Sequence, residues 1–350
     1  MIKRKKTKQI QIGKIKIGGF APVSVQSMCT TDTHDIDATV KQIKELEEVR
    51  CELVRIAILD EAAANNVAEI KKQINIPLIA DIHFDHKLAL KVIDNGIDAL
   101  RINPGNIGKL DNVKEVATAA KLAGIPIRIG INGGSLEREF AHLPLEKAMV
   151  ESALRQIKIL EKMKFENIKV SLKSSDVITM INAYKIMSKK VKYPLHLGVT
   201  EAGTMKCGLI KSACGLAPLL LKGIGDTIRV SLTANPVEEV LAGYEILRAL
   251  EIRKEGVNFV SCPTCGRCKI NIIPIANEIQ KLTANTEKNL TVAVMGCAVN
   301  GPGEAKAADI GIACGKKHGI IFKKGEVVKT VQEEDLIKEF MKEFETLLQD

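Results

Sequence analysis

The sequence predicts an α/β protein: a (β/α)8 TIM barrel followed by a small α+β domain. Two observations carry this. From residue 20 to about 250 a short apolar strand, a polar turn and an amphipathic helix repeat eight times, and near residue 250 the repeat gives way to a cysteine-bearing segment of different style. Strands alternating with helices imply a parallel sheet, and eight units in about 250 residues is the usual size of a closed barrel. A doubly wound open sheet usually holds fewer units and carries a glycine-rich phosphate loop after its first strand. Neither G-x-G-x-x-G nor a Walker sequence stands there.

The predicted strands are 22–27, 53–57, 77–82, 98–102, 126–131, 167–172, 195–199 and 227–232. Helical patterns lie between them, among them 37–49, 61–73, 87–95, 111–122, 145–162 and 177–190. Residues 1–250 form the barrel domain in this reading, and 257–350 the second domain. The charged run Leu250-Glu-Ile-Arg-Lys-Glu-Gly-Val257 between them reads as a tight linker. Beyond it the expected order is a strand at 257–261, the cysteine pair, a helix capped by Asn271 with Pro274 in its first turn, and a strand at 291–295. A hairpin at 320–331 around Lys324-Gly325 and a closing helix at 333–348 complete about ninety residues. At that size a metal often supplies part of the stability.

Composition narrows the function. No apolar run approaches the roughly 18 residues of a membrane span. The basic start, Met1-Ile-Lys-Arg-Lys-Lys, has no apolar segment behind it, so a secretory signal is not expected and a cytoplasmic location is. Nine irregularly spaced cysteines suit reduced thiols and a metal site better than a disulfide framework. The net charge of +9 points to an acidic partner, nucleic acid or a phosphorylated small molecule. With 3% aromatics and no tryptophan, base-stacking platforms are hard to build, which favours the small molecule.

Alternation sorts strand side chains onto two faces. In Ile127-Arg-Ile-Gly-Ile-Asn132 the isoleucines share one face, and Arg128, Gly130 and Asn132 the other. In Ile168-Lys-Val-Ser-Leu-Lys173 the polar face is Lys169, Ser171 and Lys173. Arg229 and Ser231, Arg55, and Arg101 repeat the pattern. The outer face of a barrel strand meets helices and must be apolar, so the polar sets face the lumen at the end where barrel enzymes place their active sites. Arg55, Arg101, Arg128, Lys173 and Arg229 then converge on one mouth, with Asp81 and Glu201 as the nearby carboxylates and His83 beside them. A diphosphate neutralises such a surplus, and guanidinium groups grip phosphate oxygens bidentately.

The cysteines form C-x-x-C-x-x-C at Cys262, Cys265 and Cys268, with Cys297 far downstream. Thiolates at this spacing suit an iron–sulfur cluster or a zinc ion. A zinc ribbon normally pairs two C-x-x-C knuckles and the second is absent, as is the C-x-x-x-C-x-x-C spacing of radical enzymes. The fourth corner is open between Cys268, which closes the site, and Glu304, an exchangeable oxygen ligand. Cys29, Cys51, Cys207, Cys214 and Cys314 read as core-sized hydrophobes.

Seven stretches, in order along nearly the whole chain, resemble the 4-hydroxy-3-methylbut-2-enyl diphosphate synthases. They are Ser24-Val-Gln-Ser-Met28, Leu100-Arg-Ile-Asn-Pro-Gly-Asn106, Arg128-Ile-Gly-Ile-Asn-Gly-Gly-Ser135, Thr200-Glu-Ala-Gly203, Gly223-Ile-Gly-Asp-Thr-Ile-Arg-Val-Ser231, Cys262-Pro-Thr-Cys-Gly-Arg267 and Gly296-Cys-Ala-Val-Asn-Gly-Pro-Gly-Glu304. The resemblance implies a two-domain oxidoreductase, a TIM barrel and an iron–sulfur domain, that reduces and opens 2-C-methyl-D-erythritol 2,4-cyclodiphosphate in the non-mevalonate isoprenoid pathway. It implies a [4Fe-4S] cluster on Cys262, Cys265, Cys297 and Glu304, and substrate contacts from Arg55, Arg101, Arg128, Asn132, Lys173 and Ser231. Glu201 and Asn300 map near the reacting carbons and the cluster, and Arg229 joins the substrate set from its strand position. The implied partners are ferredoxin or flavodoxin as reductant, and a second copy in a head-to-tail homodimer that the short linker suits. Two other readings carry different tests: an iron–sulfur RNA-binding or regulatory protein, by salt-sensitive RNA retention, and a phosphosugar or pterin barrel enzyme with a structural zinc domain, by zinc without acid-labile sulfide.

Overall fold

Runs of valine, isoleucine and leucine with a polar residue at alternate positions make the barrel strands. The computed structural model describes residues 2–102, 107, 109–134, 136–268, 270–284, 286–297, 305–315 and 317–349, and the chain divides into two units, Met1–Arg253 and Lys254–Asp350. The first opens with a small antiparallel hairpin, β1 (Ile10–Ile12) and β2 (Ile15–Ile17). An eight-stranded parallel sheet follows: β3 (Ser24–Met28), β4 (Leu53–Ala57), β5 (Leu78–Asp81), β6 (Ala99–Ile102), β7 (Ile127–Asn132), β8 (Ile168–Lys173), β9 (His196–Leu197) and β10 (Thr227–Ile228). β10 pairs with both β3 and β9. The ring closes through a parallel bridge between Val170 of β8 and Leu195, just before β9.

Helices α1 (Ile36–Glu48), α2 (Glu61–Lys72), α3 (His86–Asp94), α4 (Leu110–Leu122), α5 (Leu145–Lys162), α6 (Val177–Lys190), α7 (Met205–Leu220) and α8 (Pro236–Ala249) alternate with the strands. Side chains of Asp35, Asp60, Asp85, Asp176 and Asn235 each accept a backbone N–H at the start of the next helix, which fixes where the chain turns back. The core lies between strands and helices, with Val54, Ile56, Ile129 and Val170 fully buried in it.

Two differences from expectation matter. The last two strands are only two residues long, not 195–199 and 227–232. Past them backbone groups are diverted: Leu232 N donates to the Glu239 carboxylate (3.0 Å) and Thr233 N to Gly203 O (3.0 Å). The hairpin β1–β2 was not expected. Its Ile12 and Ile17 are fully buried and pack with Leu53, Ile79 and Ala99, residues at or near the N-terminal ends of their strands, so it floors the lumen.

The second unit is a five-stranded sheet in sequence order: β11 (Val257–Ser261), β12 (Leu290–Met295), β13 (Ile310–Cys314), β14 (His318–Lys323) and β15 (Glu326–Gln332). The first three strands are parallel and the last two antiparallel to their neighbours. Helices α9 (Ile272–Thr283) and α10 (Leu336–Gln349) bury Ile272, Ile279, Leu336, Phe340 and Phe344 in one core cluster with this sheet. Lys324 and Gly325 turn the expected hairpin with left-handed φ of 49° and 85°, as a two-residue connection requires. Asn271 precedes α9 but its side chain makes no capping bond. β13 escaped the sequence reading because its Gly311 breaks a five-residue run that is buried on both faces.

Candidate active site

Adjacent barrel strands are in register so that Met28 lies beside Arg55, Ala57 beside Asp81, Asp81 beside Arg101, Arg101 beside Arg128 and Asn132 beside Lys173. Each strand thus delivers a polar side chain at the same end of the lumen. Arg55, Arg101, Arg128, Asn132, Lys173, Glu201, Arg229 and Ser231 line one cavity of about 310 Å³, joined by Asp81 and His83. That is the lower range of small-molecule sites.

Each cation is held differently. Asp81 takes Arg101 Nη1 at 2.8 Å on Oδ1 and Arg55 Nη1 at 3.4 Å on Oδ2. Arg101 Nη1 also meets His83 Nε2 at 3.0 Å. Gly130 makes room for this arrangement: a Cβ there would stand 2.6 Å from Arg101 Nε. Arg55 Nη2 and Nε donate to Met28 Sδ at 2.8 and 3.2 Å. Burial works to raise the Asp81 pKa, but Arg55, His83, Arg101 and Arg128 together outweigh it and hold the carboxyl well below its usual range.

Arg128 is buried; among the described residues it has a long contact from Nη1 to Gln26 Oε1 (3.5 Å), and its Nε and Nη2 have no acceptor. Among the described residues Lys173 forms no ion pair, and burial, followed by Arg55, Arg229, Arg128 and Arg101, lowers its pKa well below the lysine range. Glu201 sits at the cavity in the left-handed region (φ 52°), a conformation that non-glycine residues adopt at a cost of about 1 kcal/mol.

Sequence reasoning counted two carboxylates here and missed a third. Glu239, in the first turn of α8, is buried and grips Arg229 with both oxygens at 3.1 Å. It also accepts from Ser27 Oγ at 3.0 Å. An acid in a helix's first turn normally faces water and the helix dipole, so nothing in the sequence separates Glu239 from Glu238. Gln26 and Met28 were also missed as lumen residues, although they alternate along one strand. Even with Glu239, four arginines and the buried Lys173 face few carboxylates among the described residues.

In the second unit Cys262 follows β11 and Cys297 follows β12, so both stand where parallel strands end side by side. Gly296 N donates to Cys262 Sγ at 3.1 Å. A Cβ on Gly296 would lie 2.7 Å from Cys268 Sγ and 3.3 Å from Cys262 Sγ, so this cradle tolerates only glycine. Cys268 N bonds Cys265 O at 2.9 Å, and Arg267, through its backbone and then its side chain, lowers the Cys265 pKa. Soft thiols on two loops, with the Gly296 N–H donated to Cys262 Sγ, fit an iron–sulfur group. Among the described residues no three histidine, cysteine or acidic side chains are arranged to hold a metal ion. Glu304 and Asn300 lie outside the described residues.

Of the remaining cysteines, Cys29, Cys51 and Cys314 are buried, and burial pushes each thiol up to about 12. Cys207 and Cys214 are a correction: both are exposed, on the outer surface of α7, because the small-residue face of that helix is carried by Gly208, Ser212 and Gly215. No helix among the described residues is long and apolar enough to cross a membrane.

Comparison with known proteins bears on the fold and the family. The crystal structure of Yersinia pestis dihydropteroate synthase superimposes on 69% of this chain and 98% of its own with a TM-score of 0.52 at 11% identity, a likeness of fold alone. Curated relatives named 4-hydroxy-3-methylbut-2-en-1-yl diphosphate synthase (flavodoxin) match end to end. The one from Caldanaerobacter subterraneus subsp. tengcongensis is 58% identical over all of both chains, and that from Clostridium perfringens is 56% identical over 98% of this chain and 99% of its own. Residues 7–244 match the GcpE TIM-barrel domain and 258–346 the GcpE protein C-terminal domain. The chain belongs to the GcpE family.

Proposed function

We propose that this chain performs the reaction its relatives are named for, making 4-hydroxy-3-methylbut-2-enyl diphosphate by reductive ring opening and dehydroxylation of 2-C-methyl-D-erythritol 2,4-cyclodiphosphate. Family membership supports the product. The observation that carries the substrate is the barrel cavity, where four arginines and Lys173 meet few carboxylates and Arg128 keeps two donors without acceptors among the described residues. The reaction turns a cyclic dianion, two electrons and one proton into a linear trianion and water. Negative charge therefore grows on the phosphates as the ring opens.

Arg128 and Lys173 offer free donors to those oxygens, while Arg55, Arg101 and Arg229 are pre-set by Asp81 and Glu239. Asn132 and Ser231 orient the remaining oxygens, and Glu201 holds the proton for the departing hydroxyl. Donors placed before the charge develops stabilise it without reorganisation. When bound, a [4Fe-4S] cluster held by Cys262, Cys265, Cys297 and, as the family resemblance implies, Glu304 would supply one-electron reduction and a Lewis-acidic iron. Flavodoxin, as in the relatives' name, or ferredoxin delivers the electrons in the cytoplasm, and two copies work head to tail.

The test is anaerobic reconstitution with iron and sulfide, followed by turnover of the cyclic diphosphate with a strong one-electron reductant and product detection by mass spectrometry. Zinc without acid-labile sulfide overturns the reading. Normal turnover by Glu304→Ala removes Glu304 from the ligand set. For the dimer, mixing inactive Arg128→Met and Cys297→Ala chains restores activity only if one copy's barrel works with the other's cysteines.

A further inference from the structure

Beneath the cavity the lumen holds a buried lysine that does not line it. Lys169 lies on β8 beside Arg128, two residues before the cavity-lining Ser171, about 7 Å deeper along the strand. It is 2% exposed, and among the described residues its Nζ has no hydrogen-bond partner. Its surroundings include the apolar Ile12, Ile79, Ala99 and Leu100.

The charged and titratable groups that act on it are Arg128 on β7, Arg55 on β4, Asp226 before β10 and His196 on β9. Asp226, the one anion among them, is engaged elsewhere, by Thr7 Oγ1 (2.9 Å), Leu195 N (3.0 Å) and Arg4 Nη2 (3.3 Å). His196 Nδ1 is bonded to Thr227 Oγ1 at 2.8 Å, and its Nε2 is unpartnered among the described residues. An ammonium group here would be a buried charge beside other cations with no acceptor, which a protein avoids by releasing the proton. In keeping with this, burial and then Arg128 and Arg55 hold the lysine well below its usual range.

We propose that Lys169 rests as a neutral amine and takes one proton from solvent when the diphosphate binds above it, so that the lumen gains a positive charge only when there is negative charge to meet. Lys169 is a positioning residue: it touches no substrate atom and acts through the field on Arg128. The step is a simple protonation of the amine, with no electrons moved, and it rests on the diphosphate reading above.

The test is calorimetric binding of the cyclic diphosphate to cluster-loaded, unreduced enzyme, between pH 6.5 and 9, in buffers of different ionisation enthalpy. The cyclic diphosphate is fully ionised across this range, so any proton uptake belongs to the protein. Lys169→Met replaces an orphaned amine by apolar volume and is expected to fold; Lys169→Gln is the second variant. Both are expected to take up about one proton fewer than wild type at the pH of greatest difference. Between the free and bound pKa values of Lys169, wild-type Kd is expected to weaken with rising pH by up to about tenfold per unit more than the variants'. No uptake by wild type overturns the proposal whether or not the variants fold, as does equal uptake by all three proteins. Failure of wild type to bind the cyclic diphosphate at all overturns the substrate assignment as well.

Discussion

The barrel cavity and the cysteine loops become reactive by opposite routes. The cavity's charged groups stand on or next to hydrogen-bonded strands, and Asp81 and Glu239 hold three of the four arginines in place. That geometry is held by the protein's own ion pairs. The cysteines stand on loops beyond β11 and β12, and among the described residues they form no metal-holding group. On the proposed reading, in which these cysteines hold a cluster, metal binding and the ordering of the loops would be one free energy. One site would then be set by the scaffold and the other by the proposed cluster.

The largest expected effect tests the second half of this contrast. Cys297→Ala should lose the cluster's visible absorption and reduce turnover by about 10³-fold or more, and it should lower the melting temperature of the reconstituted protein. Iron content and turnover equal to wild type would break the comparison. Next comes Arg128→Met. Losing two charge-assisted bonds to phosphate, at about 1.5–3 kcal/mol each, should cut kcat/KM by about 10²–10⁴-fold. Its melting temperature should hold or rise, since the deleted group has orphaned donors.

Asp81→Asn should do the reverse and destabilise the fold by about 3 kcal/mol, because Arg55 and Arg101 are left buried without their anion. The sign of its pH dependence follows from the depressed folded pKa. In wild type the Asp81 contribution is complete above the unfolded value of about 3.9 and is lost as pH falls toward the folded one. The difference in melting temperature between wild type and Asp81→Asn should therefore shrink below about pH 4. The smallest effect is Asp176→Ala, which removes the side chain that accepts Thr179 N at 2.7 Å. It should cost about 1 kcal/mol, a few degrees of melting temperature, with kcat unchanged, because strands and not helix caps aim the cavity's side chains.

The cavity was legible in the sequence wherever period-two alternation applied. Arg101, Arg128, Asn132 and Lys173 sit on strands whose other face must meet helices, so their direction follows from their neighbours. Arg229 and Ser231 reached the cavity as expected although the strand ends at Ile228. Arg229 N still bonds Leu197 O at 3.0 Å, which keeps the alternation going one residue further. Glu239 was illegible because its partner is ten residues away on another element, and a helix's first turn gives an acid ordinary reasons to be there. The hairpin β1–β2 was hidden by its brevity: three-residue strands, two isoleucines around a single glutamine or lysine, carry too little pattern to show that Ile12 and Ile17 are fully buried. The cysteine spacing identified the second site but not which thiol stays out. Cys268 stands against the same glycine as Cys262, and only ligand analysis separates it from Glu304.

The hairpin under the barrel has a consequence for traffic. With Ile12 and Ile17 stopping one end, the barrel is a cup and not a tube. The described cavity lies at the other end of the strands, so substrate and product would pass through the same mouth and each product molecule would leave before the next substrate enters. Anything that docks over that doorway, a reductant or a second copy of the chain, also sets the tempo of exchange.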